Sequence, residues 1–224
     1  MHIVGVLNTK GGVGKSTLVA CLSVRAAADR NTRVGVVDLD PQGSYAEWYK
    51  RRGSPDNPML LRGEDRASDA IEALSHNMPP NYLFLDGPPG SLEVTEDAIA
   101  QSTLVVIPMR ASGLDLDASQ ECIAICQEMR KPYLMVINAA SHGERKLVED
   151  ARKVLFHWNA PTADALIGQR VPYVTALTSG KTGPEKDKKA AAEIDALWEE
   201  IKAALKKASR APRKQRERAN ASNG

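Results

Sequence analysis

Residues 8–17 read Asn-Thr-Lys-Gly-Gly-Val-Gly-Lys-Ser-Thr and follow an apolar run, Ile3 to Leu7. A strand that feeds a glycine-rich turn opening a helix leaves few architectures available, because that turn aims backbone N–H groups and a helix N-terminus at an anion. Gly11, Gly12 and Gly14 allow close backbone approach and angles closed to other residues. The spacing puts Lys15 within reach of β- and γ-phosphates and the Ser16 hydroxyl on Mg²⁺. In the usual loop, Gly-x-x-x-x-Gly-Lys-Ser/Thr, the first glycine would fall at Thr9, and an additional lysine, Lys10, stands before the glycine pair. Two cations this close repel unless phosphate or a carboxylate lies beside them.

A second apolar run, Val34–Val37, ends in Asp38-Leu39-Asp40-Pro41-Gln42-Gly43-Ser44, and a third, Tyr82–Leu85, ends in Asp86-Gly87-Pro88-Pro89-Gly90. Acidic residues at the carboxyl ends of parallel strands face the crevice where ligands bind. Alternation predicts Asp38 and Asp40 on one side of their strand. One of them can orient a water towards a γ-phosphate, and the other can support the loop or the metal. A cap for the helix starting near Ser44 explains one of these carboxylates but not both. Asp86, at the end of an apolar strand, fits a carboxylate that binds Mg²⁺ directly or through water.

These motifs, with Val-Ile-Pro-Met-Arg-Ala-Ser-Gly-Leu-Asp (106–115) and Gln-Arg-Val-Pro-Tyr-Val (169–174), resemble the ParA-type partition ATPases with a deviant Walker A loop, nearest the short ParF-like branch that lacks an N-terminal DNA-reading domain. The resemblance covers roughly Met1 to Leu205. It implies ATP and Mg²⁺ as cofactors, with contacts from Lys10, Gly11, Gly12, Val13, Gly14, Lys15, Ser16 and Thr17. Lys10 corresponds to the signature lysine that reaches a partner's phosphates across a nucleotide-sandwich homodimer. Lys15 and Asp40 complete the catalytic set, Asp40 matching the carboxylate associated with the hydrolytic water, and Asp86 takes the Walker B position. The family's base-contact segment falls on residues 169–173, including Pro172. Asn138, just after a strand, is a candidate purine contact, although asparagine is also a common turn residue. Further implied partners are non-specific DNA and a ParB-like or ribbon–helix–helix centromere-binding protein. The implied function is ATP-dependent DNA partition in the cytoplasm, at the nucleoid. Alternatives are a positioner of a non-DNA cargo and a MinD-like membrane-associated division regulator.

Apolar runs alternating with amphipathic stretches predict an α/β fold, a doubly wound, mostly parallel sheet with helices on both faces. Strands are expected at Ile3–Leu7, Val34–Val37, Tyr82–Leu85, Leu104–Ile107 and Tyr133–Ile137, with a short piece near Ala165–Ile167. Helices are expected at Lys15–Asp29, Ser44–Arg51, Ala67–Leu74, Asp115–Met129, Glu144–Trp158 and Ala190–Lys207. The stretch Arg52–Arg62, with Pro55 and Pro58, reads as a loop. Aromatic residues make up 4% of the chain, so the core must rest on aliphatic side chains. Three cysteines, an odd number, fit a reducing compartment, and neither a signal sequence nor a membrane-spanning run is evident.

Charge is uneven. The chain carries a net +2, yet residues 181–224 hold 12 Lys+Arg against 7 Asp+Glu, a surplus of five that leaves the remainder at −3. A basic end on a mildly acidic body suits a polyanion. Lys181, Lys186, Lys188, Lys189, Arg210, Arg213 and Lys214 are the candidate DNA contacts. Residues 1–208 are expected to form the ATPase domain, and residues 209–224, poor in apolar side chains, an unstructured tail. The helix before that tail aligns Ile194, Leu197, Trp198, Ile201 and Leu205 on one face, expected to close the domain rather than to lie on a membrane.

Overall fold

The computed structural model describes residues 1–61, 66–74 and 79–221, with backbone alone at residue 142 and from residue 210 onward. Its strands are β1 (His2–Val6), β2 (Val34–Asp38), β3 (Met59–Leu61), β4 (Tyr82–Asp86), β5 (Leu104–Met109) and β6 (Tyr133–Ile137). They form one sheet in the order β3-β2-β4-β1-β5-β6, and every pairing is parallel. The helices are α1 (Lys15–Ala27), α2 (Ser44–Arg51), α3 (Ala67–Leu74), α4 (Leu92–Gln101), α5 (Gly113–Glu128), α6 (Arg145–His157), α7 (Val171–Thr175) and α8 (Lys188–Ala221).

The chain steps from β1 out to β3, then returns past β1 to β6. Right-handed crossovers switch helices to the opposite face when the direction of travel reverses, and the packing obeys this. Leu18 and Leu22 of α1 and Trp48 of α2 join Val36, Phe84 and Val106 in one core with α8. Ala70 of α3, Ile99 of α4, Ile123 of α5 and Leu155 of α6 join Leu83, Leu85 and Ile107 in the other. The central strands are therefore buried on both sides, which is why their sequences are continuously apolar instead of alternating. Ile194, Leu197, Trp198 and Ile201 of α8 are fully buried. Trp198 packs edge-on to Tyr82, with ring centroids 4.9 Å apart, and its indole N–H donates to Asp29 at 3.3 Å. This apolar face closes the domain, as its spacing predicts.

Three stretches depart from expectation. Met59–Leu61 is an edge strand paired with Gly35–Val37; proline is tolerated just ahead of an edge strand, so Pro55 and Pro58 conceal it. Helix α4 was hidden because only a few of its residues face the core, among them Thr95, Ala98 and Ile99. The expected strand at Ala165–Ile167 is reduced to isolated bridges at Thr162 and Gly168 beside β6. Helix α8 runs on to Ala221. Apart from Pro212, the residues there are mostly good helix formers, and that propensity opposes the lack of apolar residues. Among the described residues, no helix is long and apolar enough to cross a membrane.

Candidate functional site

All the motif residues gather at the carboxyl edge of the sheet. The loop after β1 places Gly14 at φ +91° as the residue preceding α1. A side chain there would be strained and would also overlap the Asn138 amide. Asn138, at the end of β6, donates from Nδ2 to the Val13 carbonyl at 2.7 Å. Its structural part is thus to hold the phosphate loop from behind. Asn8 braces the loop on its other side. This buried side chain accepts from the Lys10 amide at 2.9 Å, and donates to Pro108 O at 2.9 Å and to Ser119 Oγ at 3.1 Å. Nothing in the loop motif points to Asn8, because its partners lie on β5 and α5.

The two lysines are held in different ways. Lys15 Nζ donates to the Lys10 carbonyl at 2.9 Å. Burial lowers its pKa, opposed by the charges of Asp86 and Asp40. Lys10 Nζ lies 3.3 Å from Asp115 Oδ1 near the start of α5. The carboxylate that the crowded lysines require is therefore supplied from the same chain. Asp115 is itself held by Ser112, whose hydroxyl caps the Asp115 amide at 3.2 Å and contacts its carboxylate. Arg110, from the end of β5, donates to the Gly12 carbonyl at 3.0 Å.

The three carboxylates also part ways. Asp38 accepts from the Asp40 amide at 3.2 Å and from the Ala46 amide at 2.9 Å, so it supports the loop into α2, and burial raises its pKa. Asp40 accepts from the Gln42 amide at 2.9 Å and lines a cavity of about 620 Å³. Asp86 is fully buried, and among the described residues neither of its oxygens has a hydrogen-bond partner. Burial, reinforced by the Asp38 charge, pushes its pKa well above the ordinary range, while Ser16 and Lys15 nearby favour the ionised form. A buried carboxylate without a partner, beside a hydroxyl and an ammonium, fits a divalent cation, since Mg²⁺ is usually held by one or two carboxylates together with substrate phosphates.

The cavity is lined by Gly11, Gly12, Gly14, Lys15, Ser16, Thr17 and Asp40, then continues to Tyr45, Trp48 and Arg51 of α2 and to Leu177. Pro172, in the first turn of α7, and Asn138 are not part of that lining. Lys181, Lys186, Lys188 and Lys189 form an exposed run between residue 180 and the first turn of α8. The side chains of Arg210, Arg213 and Lys214 lie outside the described residues.

Residues 4–183 match the CobQ/CobB/MinD/ParA nucleotide binding domain. The chain belongs to that family. It is 26% identical over 208 residues to the maintenance of carboxysome distribution protein A of Halothiobacillus neapolitanus, covering 88% of this chain and 94% of the relative. It is 23% identical over 229 residues to the chromosome partitioning protein ParA of Caulobacter vibrioides, covering 81% and 85%. Apo McdA of Cyanothece shares the fold with a TM-score of 0.72 at 16% identity, covering 92% of this chain and 99% of that one. The family match takes in the phosphate loop, Asp40, Asp86 and Asn138, and it ends inside the basic run, ahead of Lys186. As a CobQ/CobB/MinD/ParA-family domain, the chain has its nucleotide-binding elements at the sheet edge. Four residues there have no role assigned by the motifs: Asn8, Arg110 and Ser112, which lie within quoted motifs, and Trp48, which lies outside them. Ser112 bonds to Asp115 three residues on, but Asn8, Arg110 and Trp48 reach partners about a hundred or more residues away, at Pro108, Gly12 and Lys181, which local sequence does not reveal.

Proposed function

We propose that this chain is an ATP-hydrolysing positioning protein of the ParA kind. Two copies close face to face on MgATP, the closed dimer binds duplex DNA without reading sequence, and a DNA-bound partner of ParB or ribbon–helix–helix type stimulates hydrolysis and release. The observation that carries this reading is Lys10. It sits at the mouth of the phosphate loop, one-third exposed and paired to Asp115 within its own chain. A partner's triphosphate offers more negative charge than one carboxylate, so exchanging Asp115 for phosphate would couple nucleotide state to pairing. A solved ATP complex of Cyanothece McdA, at TM-score 0.68, supports the choice of nucleotide.

Chemistry at this site rests on positioning and charge. The loop amides and Lys15 hold the phosphates, with the Lys15 ammonium leaving the Lys10 carbonyl for them. Asp40 faces the cavity from the loop ahead of α2 and orients the attacking water. Ser16 and Asp86 would hold Mg²⁺, which when bound supplies neutralising charge to the phosphate oxygens. Asn138 supports the loop near the base, and Pro172 belongs to the segment that borders the base. The exposed lysines 181, 186, 188 and 189 supply contacts to DNA phosphates, and residues 209–224 add a basic extension to the domain. Cytoplasmic, nucleoid-associated placement follows from this reading.

The test is retention on duplex DNA of arbitrary sequence with ATP, with ADP and without nucleotide. ATP-specific retention supports the reading, and equal binding in all three states removes the switch. A second reading, a positioner of a non-DNA cargo such as a protein compartment, is favoured by the carboxysome-distribution relative. It differs in the partner that stimulates turnover, not in the nucleotide cycle.

A further inference from the structure

Helix α2 runs along the phosphate cavity from Ser44 to Arg51, and its carboxyl end meets the basic run. At the near end, Asp38 holds the Ala46 amide at 2.9 Å, and Ser44, Glu47 and, in the last turn, Arg51 face the cavity along the helix. Just past the far end, Arg52 Nη1 donates to the Gly180 carbonyl at 3.0 Å and to Glu185 Oε2 at 2.9 Å, while Nη2 donates to Glu185 Oε1 at 3.2 Å. The Trp48 indole donates to the Lys181 carbonyl at 3.1 Å, and the Arg52 guanidinium lies 5.4 Å from the centre of the Trp48 ring. Glu185 also accepts from the Thr182 amide at 2.6 Å and from its hydroxyl at 2.8 Å.

The turn that receives these bonds has little freedom of its own. Gly180 adopts φ +69°, and a Cβ there would run into the Arg51 backbone. Thr182 is fully buried, and a Cβ on Gly183 would press on the Tyr173 ring at 2.8 Å. A bidentate arginine–carboxylate pair fixes orientation as well as distance. Eight helical residues span about 12 Å, so a tilt of α2 at the cavity reaches the turn as a rigid displacement. A surface brace would need only the ion pair. Here the pair is joined by an indole bond, a glycine wedged against the helix end, and a cavity-lining residue, Leu177, just upstream of the same turn.

We infer that Arg52 and Glu185 are positioning residues that couple the phosphate cavity to the basic turn 181–189, so that nucleotide state sets how those lysines are presented to a polyanion. This rests on the nucleotide-dependent DNA binding proposed above. The test uses the full chain with Arg52→Gln, Glu185→Gln and the reciprocal pair Arg52→Glu with Glu185→Arg. Three quantities are read: affinity for a fluorescent ATP analogue, duplex affinity with ATP against ADP, and amide exchange over residues 180–189. The wild type should bind duplex about tenfold more tightly with ATP. Each single variant should keep its ATP affinity while that ratio shrinks to about twofold, and the reciprocal pair should recover it. Single variants that retain the full ratio overturn the inference. So do variants that lose ATP binding along with thermal stability, since the pair is then a brace for the fold. If the wild type shows no ratio, the DNA reading fails. Exchange then decides the clamp: protection by MgATP in the wild type but not in the variants keeps it, with another polyanion as partner, and no response removes it.

Discussion

The phosphate loop and the basic turn both concentrate positive charge, and they hold it in opposite ways. Lys15 is buried with its ammonium on a carbonyl, and Lys10 is paired to a carboxylate. Each cation has a protein partner that a phosphate can replace, so binding there is an exchange with a defined geometry. Lys181, Lys186, Lys188 and Lys189 instead stand in solvent, where a polyanion displaces counterions and water. The first arrangement suits discrimination among nucleotide states, because the donors are fixed before the ligand arrives. The second suits attraction without sequence reading, because strength depends on charge number and salt.

This contrast can be broken most sharply at Lys10. Lys10→Ala should abolish ATP-driven pairing and lower partner-stimulated turnover about a thousandfold or more, the scale of a cation supplied in trans. Sedimentation with a non-hydrolysable analogue checks it, and normal pairing would end the exchange argument. At the other region, duplex affinity should drop about a thousandfold between roughly 50 and 200 mM salt if six or more phosphates are engaged. Each Lys→Gln change at 181, 186, 188 or 189 should reduce the log–log salt slope by about 0.9. A slope indifferent to these changes would put the contact surface elsewhere.

Asp86 sharpens the comparison from the acidic side. Its pKa is raised in the folded protein, so the native state binds this proton more tightly than the unfolded chain does. The resulting stability is fully present below the ordinary aspartate value of 3.8 and is lost as pH rises through the raised native value. Asp86→Asn should therefore stabilise the ligand-free protein at neutral pH by about 1–3 kcal/mol, raising Tm by roughly 2–10 °C. It should also flatten the pH dependence between 3.8 and the raised native value, while abolishing Mg²⁺-dependent nucleotide binding. Thermal melts across pH, with and without MgATP, read both effects, and a lowered apo Tm would contradict the orphaned-carboxylate picture. The smallest expected effect is at Asn138. Asn138→Ala removes its bond to Val13 and should cost about 1 kcal/mol, seen as a modestly higher KM for ATP with little change in kcat.

Much of the sheet was legible because strands buried on both faces leave continuous apolar runs, and because Asp38 and Asp86 follow such runs directly. Tyr133–Ile137 is located to the residue. The edge strand Met59–Leu61 is not, because three half-exposed residues after two prolines carry no periodic signal. The division of labour between Asp38 and Asp40 is also unreadable in advance. Asp38 ends β2 and Asp40 follows two residues on in the same alternation, yet only Asp40 faces the cavity, since α2 turns back and offers the Ala46 amide to Asp38.

The amino-acid order by itself determined the phosphate loop, the carboxylates at the strand ends, the parallel α/β architecture and the uneven charge, since each depends on residues adjacent in the chain and on local periodicity. Only the tertiary structure decided that Lys10 rests on Asp115, that Asp86 is left without a partner, that Asn8 and Asn138 brace the loop, and that Arg52 grips the turn at residues 180–185. Those contacts join segments up to 133 residues apart. Their energies depend on burial and on orientation, and both arise only once the sheet edge has assembled.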